Sequence, residues 1–425
     1  MYLERLDPAE INPLHLINRS DELAWLATKV GIFLRRPHKQ RGASFAIMGA
    51  KGVGKSIFTR AALSRLRGER EGRDALFLQV DCRRLRSVSE VYRRLSPEIV
   101  DELEGARKER RPIPPEALDA ARIVSELARF DQGELKTAHE RVLRFKAAAR
   151  WAPELPGVLK STLGVDIERE DKDIKTLTGS VRIDEERVQR MLLVLLRDLA
   201  ARDLNVVLYL DNIDELDHEY KTQDSVSHVR QEVEALLGFH DAPVALILNL
   251  RTYMSGVLSR EISEKRALDP LPEAELVQIV HRRLDQEPDE IQRASRGKEA
   301  QQGMRWLAQR SPTPLAFLMW YKALFERGAL GEGGRVSAIR AHLRSDYASL
   351  RLDTLLQVIG AFPSPDAVVS REDLLAACKQ ETLLAQLQDL QVVLPVDFWN
   401  PREFTLEPVL QVIADPVLLT ALSAR

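Results

Sequence analysis

Short apolar, partly β-branched runs alternate along the chain with segments whose apolar residues recur at helical spacing. The strand-like runs are SFAIMG, ALFLQVD, NVVLYLD and APVALILNLRT. Runs of this length and composition are typical of the buried strands of a parallel sheet. Helical spacing precedes the first run in LINRSDELAWLATKVGIFL, with a possible N-cap at Ser20, and follows it in SIFTRAALSRLRG. The pattern therefore predicts an α/β fold built on a parallel sheet.

The rest of the chain is predicted to be mostly helical. Helices are expected at residues 115–129, 135–150 and 226–238, and another begins at Pro272 and Glu273 after a short strand. Three helical segments are predicted within 288–350, and three short helices follow Leu352. Two stretches indicate paired strands: a polar hairpin from Gly164 onward and a two-stranded wing in VVLPVDFWNPREFTLEP.

Composition narrows the functional classes. The 425 residues have 44% hydrophobic and 30% charged content, as ordinary globular proteins do, and a net charge of -2 gives no overall attraction to nucleic acid or anionic membranes. Cys82 and Cys378 have no metal-ligand spacing, which favours a reducing compartment. The charged, proline-containing N-terminus does not resemble a secretion signal, and no apolar run approaches the roughly 18 residues of a membrane span. A cytoplasmic protein without a membrane partner is expected.

The stretch GAKGVGKS, residues 49–56, matches the GxxxxGK[ST] spacing of a phosphate-binding loop. In such loops, glycines let backbone N–H groups converge on an anion, and the N-terminus of the next helix adds partial positive charge. Lys55 is then expected to reach the β- and γ-phosphates, and the hydroxyl of Ser56 to ligate Mg²⁺. The alternative, a chance glycine turn on the surface, is disfavoured by the strand and helix that flank the motif. The predicted loop and first helical turn comprise Gly49, Gly52, Val53, Gly54, Lys55, Ser56 and Ile57.

Acidic residues follow the strand-like run 206–210. Asp211 directly follows the run, at the edge where parallel α/β sheets bind ligands, and is predicted to complete the metal site. Asp214 or Glu215 is the candidate for polarising water. The alternative is an acidic loop of the kind that follows many core strands. On the next strand, Asn249 and Arg251 place polar groups where they would contact the γ-phosphate from the side opposite the loop.

These features, taken in order, resemble the AAA+ ATPases of the origin-recognition and STAND branches. The resemblance rests on NR-x-DEL, GAKGVGKS, VVLYLDNIDE, LILNLRT, ALDPLPEAEL and the winged-helix pattern. It implies ATP and Mg²⁺ as cofactors and a nucleotide-dependent homo-oligomer. It also implies that Arg19 lies near the base or sugar, that Asn249 and Arg251 serve as sensor-1 candidates, and that Pro314 is the proline of the lid motif.

The resemblance also implies a division into domains. Residues 1–270 are predicted to form the nucleotide-binding core, with an insertion at about 95–190. Residues 271–350 are predicted to form a helical lid, and residues 351–425 a winged-helix domain. The insertion is expected because more than a hundred residues separate the second strand from the Asp211 strand, too many for a simple crossover.

Three departures from the family pattern affect the predicted chemistry. Asn212 stands where many members have a glutamate, and an amide cannot accept a proton, so Asp214 is favoured as the base with Glu215 second. The lid segment SPTPLAFLMWY has no sensor-2 arginine; Arg260 is a candidate trans-acting finger, although a solvated surface arginine is the more common reading. Glu407 replaces the histidine of the STAND ADP sensor, so an ADP lock of that type is not expected.

Charge also bears on DNA binding. From Leu352 onward the sequence has four basic residues and ten carboxylates. The segment QETLLAQLQDL, in the position of a recognition helix, has no lysine or arginine. Because phosphate contacts require cations, this domain is predicted to pack against protein. The insertion is the better candidate for nucleic acid, through a helix with Arg141, Arg144, Lys146 and Arg150 or through ARKERR at 106–111. In both places, solvated charge around an apolar stripe is the alternative.

Two functional hypotheses follow. In the first, the protein is a slowly hydrolysing ATP switch that controls oligomerisation or a separate effector or target protein, as in bacterial defence systems and mobile elements. In the second, it is an ATPase of the origin-recognition kind that binds or loads DNA.

Overall fold

The computed structural model describes residues 16–36, 41–69, 72–83, 85, 87–129, 185–213, 235–252, 262–396 and 402–424. Within these residues, the first half of the chain contains a parallel sheet covered by helices on both faces, and the second half is mostly helical. The predicted helix 135–150 and the hairpin from Gly164 lie outside the described residues, as does most of the predicted helix 226–238, whose end is a 3₁₀ turn at Leu237–Asp241.

The sheet of the described residues has five parallel strands in the order β2-β3-β4-β1-β5. Their bounds are β1 Ala43–Met48, β2 Leu76–Asp81, β3 Val206–Asp211, β4 Val244–Leu250 and β5 Glu264–Ala267. The predicted parallel sheet is therefore confirmed. Since all strands run in one direction, β1, β3 and β4 bring the phosphate-loop motif, Asp211 and Asn249 to one edge.

Alternation along the strands divides the core into two faces. On β3, Val207 and Tyr209 point to one face, whereas Val206, Leu208 and Leu210 point to the other. Helices α1 (Ser20–Arg35) and α2 (Lys55–Gly68) cover the first face. Helices α3 (Val88–Lys108), α4 (Pro115–Arg129) and α5 (Glu185–Ala201) cover the second. Helix α1 begins at Ser20 with Arg19 in the N-cap position, so Ser20 is not the cap.

Part of the predicted insertion belongs to this core. Helix α3 packs against β2, and α3 and α4 pack against each other and against α5. Residues 95–129 therefore share the hydrophobic core of the sheet. The insertion bounds and the three-domain division remain predictions.

Five helices follow the sheet. They are α6 (Glu273–Leu284), α7 (Asp289–Ser295), α8 (Lys298–Ala308), α9 (Pro314–Glu326) and α10 (Glu332–Asp346). The start of α6 after Pro272 agrees with the prediction. Residues 288–350 contain four helices where three were predicted, because a break at residues 296–297 separates the seven-residue α7 from α8. We call residues 273–346 the lid.

The C-terminal region, residues 352–424, begins with the three predicted short helices: α11 (Leu352–Ile359), α12 (Arg371–Cys378) and α13 (Glu381–Asp389). The predicted wing is an antiparallel pair, β7 (Val393–Pro395) and β8 (Glu403–Leu406), which β6 (Val369–Ser370) extends. Two helices that the sequence analysis did not predict, α14 (Pro408–Gln411) and α15 (Pro416–Ser423), complete the region.

The lid and the C-terminal region share one hydrophobic core. Within it, the buried indole Nε1 of Trp320, on α9, donates to the carbonyl of Val409, on α14, at 2.7 Å. The C-terminal region therefore packs against protein, as its shortage of basic residues predicts. Across the described parts of the chain, no helix has the length and apolar character needed to cross a bilayer.

Candidate functional site

The loop between β1 and α2 has the backbone of a phosphate-binding turn. Gly52 and Gly54 adopt φ values of 79° and 102°, a left-handed conformation that side chains with a Cβ rarely adopt. Gly54 occupies the N-cap position of α2, so the helix begins at Lys55 and directs its first N–H groups toward the loop. A Cβ on Gly52 would lie 2.3 Å from the Cβ of Leu315, in the lid, so glycine is also required for this close approach.

The side chain of Lys55 folds back over the loop. Its Nζ donates to the carbonyl oxygens of Gly49 and Ala50, each at 3.0 Å. An ammonium group held at the mouth of a glycine-rich turn is suited to contact phosphate oxygens.

A hydrogen-bond network surrounds Asp211 at the end of β3, where the carboxylate is only 2% exposed. Its Oδ1 accepts from Ser56 Oγ at 2.9 Å, from Asn249 Nδ2 at 3.0 Å and from the backbone N–H of Asn212 at 3.0 Å. A buried carboxylate without such donors would be costly. The loop serine, the strand-end aspartate and the sensor-1 candidate are thus brought together, as the sequence predicts.

Tyr209 and Thr59 complete this network, although the sequence analysis did not single them out. Asn249 Nδ2 donates to Tyr209 Oη at 2.7 Å, and Thr59 Oγ1 donates to Asn249 Oδ1 at 2.9 Å. Burial raises the pKa of the Tyr209 phenol well above its usual range, and the charge of Asp211 and a hydrogen bond to it raise it further. The phenol therefore stays protonated. The signal was available in the sequence, because Tyr209 precedes Asp211 by two residues on a strand and so points to the same face.

The oxygens of Ser56 and Asp211 fit a magnesium site. Mg²⁺ is commonly held by one or two protein oxygens, with phosphate oxygens and water completing its shell. A hydroxyl and a carboxylate oxygen 2.9 Å apart beside the phosphate loop provide that donor set. Neither donor is a thiol or imidazole, so the site is suited to a hard cation.

A second carboxylate lies at the end of the adjacent strand, where Asp81 of β2 is in register with Asp211 of β3. Asn212 Nδ2 donates to Asp81 Oδ1 at 2.9 Å, and Arg83 forms an ion pair with Asp81 at 2.5 Å. Burial works to raise the pKa of Asp81, but the hydrogen bonds from Arg83 and Asn212 outweigh it, so the pKa is lowered. The amide of Asn212 is therefore engaged by the neighbouring strand.

The loop and strand ends open into a cavity of about 290 Å³. Nearly all the predicted site residues that the structure describes line it: Arg19, Gly52, Val53, Gly54, Lys55, Ser56, Ile57, Asp211, Asn249, Arg251 and Pro314. Gly49 contributes the carbonyl that holds Lys55. The guanidinium of Arg19 contacts Glu22 and the carbonyl of Asp269, which anchors it at one wall. Asp214, Glu215 and Arg260 lie outside the described residues.

The lid supplies a cation that the sequence analysis missed. Arg283, on α6, lines the cavity and is 4% exposed. The motif SPTPLAFLMWY itself has no arginine, so the lid cation that lines the cavity comes from another helix. Arg283 lies in an unremarkable run, HRRL, and only the packing of α6 brings it to the cavity.

The loop is also contacted by the C-terminal region. Lys51 Nζ lies 2.6 Å from Gln391 Oε1 and 3.2 Å from the buried carboxylate of Glu407. These residues are more than 330 positions apart in sequence, so no local pattern predicts the contact.

A parallel sheet with a glycine-rich turn after its interior strand β1, and with a serine–aspartate pair beside that turn, defines a P-loop nucleotide-binding protein. The model of the AAA ATPase domain matches residues 16–247, more than half of the chain. The chain belongs to the AAA ATPase domain family, which implies nucleotide binding and ATPase activity.

Solved structures provide a more distant comparison. The chain is similar to Cdc6p from Pyrobaculum aerophilum (14% identity, 99% and 98% of the two chains covered, TM-score 0.40). It is also similar to the Aeropyrum pernix ORC2 protein in its ADP form (12%, 99% and 98%, TM-score 0.45) and to the Aeropyrum pernix ORC1 protein in complex with DNA (15%, 99% and 95%, TM-score 0.40). The comparison with curated proteins gives no match.

Proposed function

We propose that the protein is an ATP-dependent switch of the AAA+/STAND kind. It binds ATP with Mg²⁺, hydrolyses it slowly, and through the bound nucleotide controls its own oligomerisation or a separate effector protein, in a bacterial defence or mobile-element system. The observation that carries the proposal is the direct contact between the phosphate loop and the lid: Leu315 N donates to the Gly52 carbonyl at 3.2 Å. A ligand in the loop is thereby positioned to shift the lid, and with it the C-terminal region that shares the lid's core.

Each side chain has a defined task in this proposal. Lys55 and the N–H groups of the loop bind the β- and γ-phosphates, while Ser56 and Asp211 hold Mg²⁺, which neutralises charge on the phosphates. Asn249, Tyr209 and Thr59 fix the orientation of Asp211. Asp214, or Glu215 in second place, polarises the attacking water.

Slow hydrolysis is proposed because of Asn212. The position directly after Asp211 has an amide, and that amide donates to Asp81, so it supplies no base. Arg283 is proposed to stabilise charge on the phosphates from the lid, and Arg260 to act on a neighbouring subunit. The loss of either cation is expected to slow turnover more than it weakens binding.

The test measures binding, turnover and size on one preparation of the full chain. ATP and ADP binding is measured with and without Mg²⁺, hydrolysis is followed at steady state, and mass is determined by light scattering with ATP, ADP or no nucleotide. A switch is expected to turn over less than about once per second, at the low end for ATPases, and to change mass or partner binding with ATP. Failure to bind any nucleotide would refute the proposal.

The alternative function is a DNA-binding ATPase of the origin-recognition kind. Helices α12 and α13 followed by the β7–β8 pair are consistent with the predicted winged helix, which favours this alternative. The charges of α13 oppose it, because Glu381–Asp389 contains no lysine or arginine, and Arg371 is paired with Glu381 at 2.8 Å. The run at 106–111 is the other candidate for DNA contact. There Arg111 donates to the carbonyls of Asp74 and Ala75, so its guanidinium contributes to the fold.

DNA titrations at two salt concentrations separate the alternatives. If the alternative holds, affinity falls steeply with salt, and reversing the charges of Arg141 and Arg144 abolishes it. If the switch holds, DNA leaves the mass and the ATPase rate unchanged at physiological salt.

A further inference from the structure

The hairpin of the C-terminal region holds two oxygen acceptors against the phosphate loop. The pairing of Val393 with Leu406 places Gln391 and Glu407 at the same end of β7 and β8. A backbone hydrogen bond from Glu407 N to Val392 O, at 3.0 Å, closes this end of the hairpin. Both side chains contact the ammonium of Lys51, the second variable position of GAKGVGKS.

The carboxylate of Glu407 depends on these contacts because it is buried. Its side chain is 6% exposed, against 27% for that of Lys51. Oε2 accepts from Val409 N at 2.9 Å, and Oε1 faces Lys51 at 3.2 Å. The negative charge of Glu407 also helps to raise the pKa of the half-buried Tyr347 phenol, behind the effect of burial itself. Within the part of the chain that the structure describes, withdrawal of Lys51 would leave this buried charge with its backbone partner alone. A buried charge that loses its counter-ion is strongly destabilising.

Lys51 also lines the cavity, two residues after Gly49 and four before Lys55. A cation in this position has two anionic partners available in turn: the carboxylate of Glu407 and the terminal phosphate of a triphosphate in the loop. One ammonium cannot satisfy both at full strength, and a terminal phosphate with up to two negative charges competes better than a single carboxylate.

We propose that Lys51 is a further phosphate-contacting residue that distinguishes tri- from diphosphates, and that the Lys51–Glu407 ion pair is a latch which a bound triphosphate opens. A diphosphate lacks the terminal group and leaves the latch closed. The opened latch loosens the β7–β8 hairpin, which gives the C-terminal region its dependence on nucleotide state. This inference rests on the proposed nucleotide binding and adds the route by which the C-terminal region responds.

Binding measurements test the competition. Glu407→Gln keeps an oxygen for Val409 N and removes the competing charge. It is expected to raise affinity for a non-hydrolysable ATP analogue about three- to tenfold, with less than a twofold effect on ADP. Lys51→Met is expected to lower affinity for the analogue about tenfold, again with little effect on ADP. The matched control is Glu403→Gln, which changes an exposed carboxylate four residues earlier, on β8. Equal shifts for ATP and ADP in both variants would overturn the proposal.

Hydrogen exchange tests the latch itself. In the wild type, peptides covering residues 391–396 and 402–409 are expected to exchange faster with the ATP analogue and Mg²⁺ than with ADP or without nucleotide. Without any nucleotide, Lys51→Met is expected to accelerate exchange in the same peptides and Glu403→Gln to leave it unchanged. Unchanged exchange in Lys51→Met would refute the latch even if nucleotide binds. Accelerated exchange in a protein that binds no nucleotide would instead refute the proposed function and leave the contact in place.

Discussion

The two sides of the cavity differ in how closely the sequence determines them. The loop side comprises residues 51–57 with Asp211 and Asn249, and the lid side comprises Arg283, Pro314, Leu315 and Leu318. On the loop side, function depends on backbone conformation and strand-end positions, which local sequence specifies. On the lid side, it depends on which surface of a helix packs toward the sheet. The loop side is therefore expected to determine whether nucleotide binds, and the lid side to determine what binding causes.

The largest expected effect tests the loop side. Lys55→Ala removes the ammonium that the loop carbonyls of Gly49 and Ala50 hold in place. Loss of a charge-assisted contact to phosphate is expected to weaken ATP binding about 100-fold. Isothermal titration with Mg²⁺-ATP provides the measurement.

Arg65→Ala, on the same helix, is the control for this change. Arg65 is half exposed and, among the described residues, forms its ion pair with Glu69, four residues along the helix, so its loss is expected to leave ATP affinity unchanged. If Lys55→Ala bound ATP as tightly as the wild type, the loop side would not be the phosphate side, and the comparison would fail.

The next effect tests the lid side. Arg283→Ala is expected to lower the rate of ATP hydrolysis about tenfold and affinity for ATP less than threefold, because a lid cation acts mainly on charge that develops during phosphoryl transfer. Arg296→Ala, an exposed lid arginine, is the control. Steady-state kinetics separates the two parameters, and an effect on binding alone would assign Arg283 to ground-state recognition.

The loop side and the lid side also show where sequence reasoning succeeded. Strand composition predicted the parallel sheet. The position of Asp211 followed from it, because the carboxyl ends of parallel strands all lie at the same edge of the sheet. Leu315 and Arg283 were not predictable in the same way, since the approach of α9 and α6 depends on many apolar contacts of the shared core. The break between α7 and α8 was missed for a related reason: seven-residue helices carry too few turns for periodicity to reveal their limits.

A smaller effect is expected within the loop side itself. Tyr209→Phe removes the phenol oxygen that accepts a hydrogen bond from Asn249 and keeps the ring in the core. The Mg²⁺ concentration for half-maximal ATPase activity is expected to rise about fivefold, one neutral hydrogen bond being worth about 1 kcal/mol, and ADP affinity without Mg²⁺ to stay constant.

Tyr92→Phe gives the matched control for Tyr209→Phe. Tyr92 donates to the carbonyl of Ala235 at 3.0 Å, on the opposite face of the sheet. A purely structural role would make both variants less stable without a change in Mg²⁺ dependence. That result would remove Tyr209 from the metal site.

The smallest expected effect is a difference between the lid and the sheet in how their stability depends on pH. The imidazole of His342, on α10, packs edge-on to the ring of Trp320, with 4.8 Å between ring centroids. Burial lowers its pKa, and the charge of Arg327 lowers it further, whereas the charge of Asp346 opposes the shift. The unfolded chain therefore binds a proton more readily, so stability from this group is present above pH 6.5 and falls as pH drops below that value. Asp81, on β2, also has a lowered pKa, so its contribution to stability has the same sign, but that contribution is lost only below pH 3.8.

Between pH 6.5 and 5, hydrogen exchange is expected to rise in α10 and not in β2 or β3, after correction for intrinsic rates. The same acidification is expected to lower Tm by on the order of 2 °C. His342→Gln is expected to remove both the rise in exchange and the fall in Tm. Equal loosening of the sheet over the same interval would show that the two regions do not respond independently.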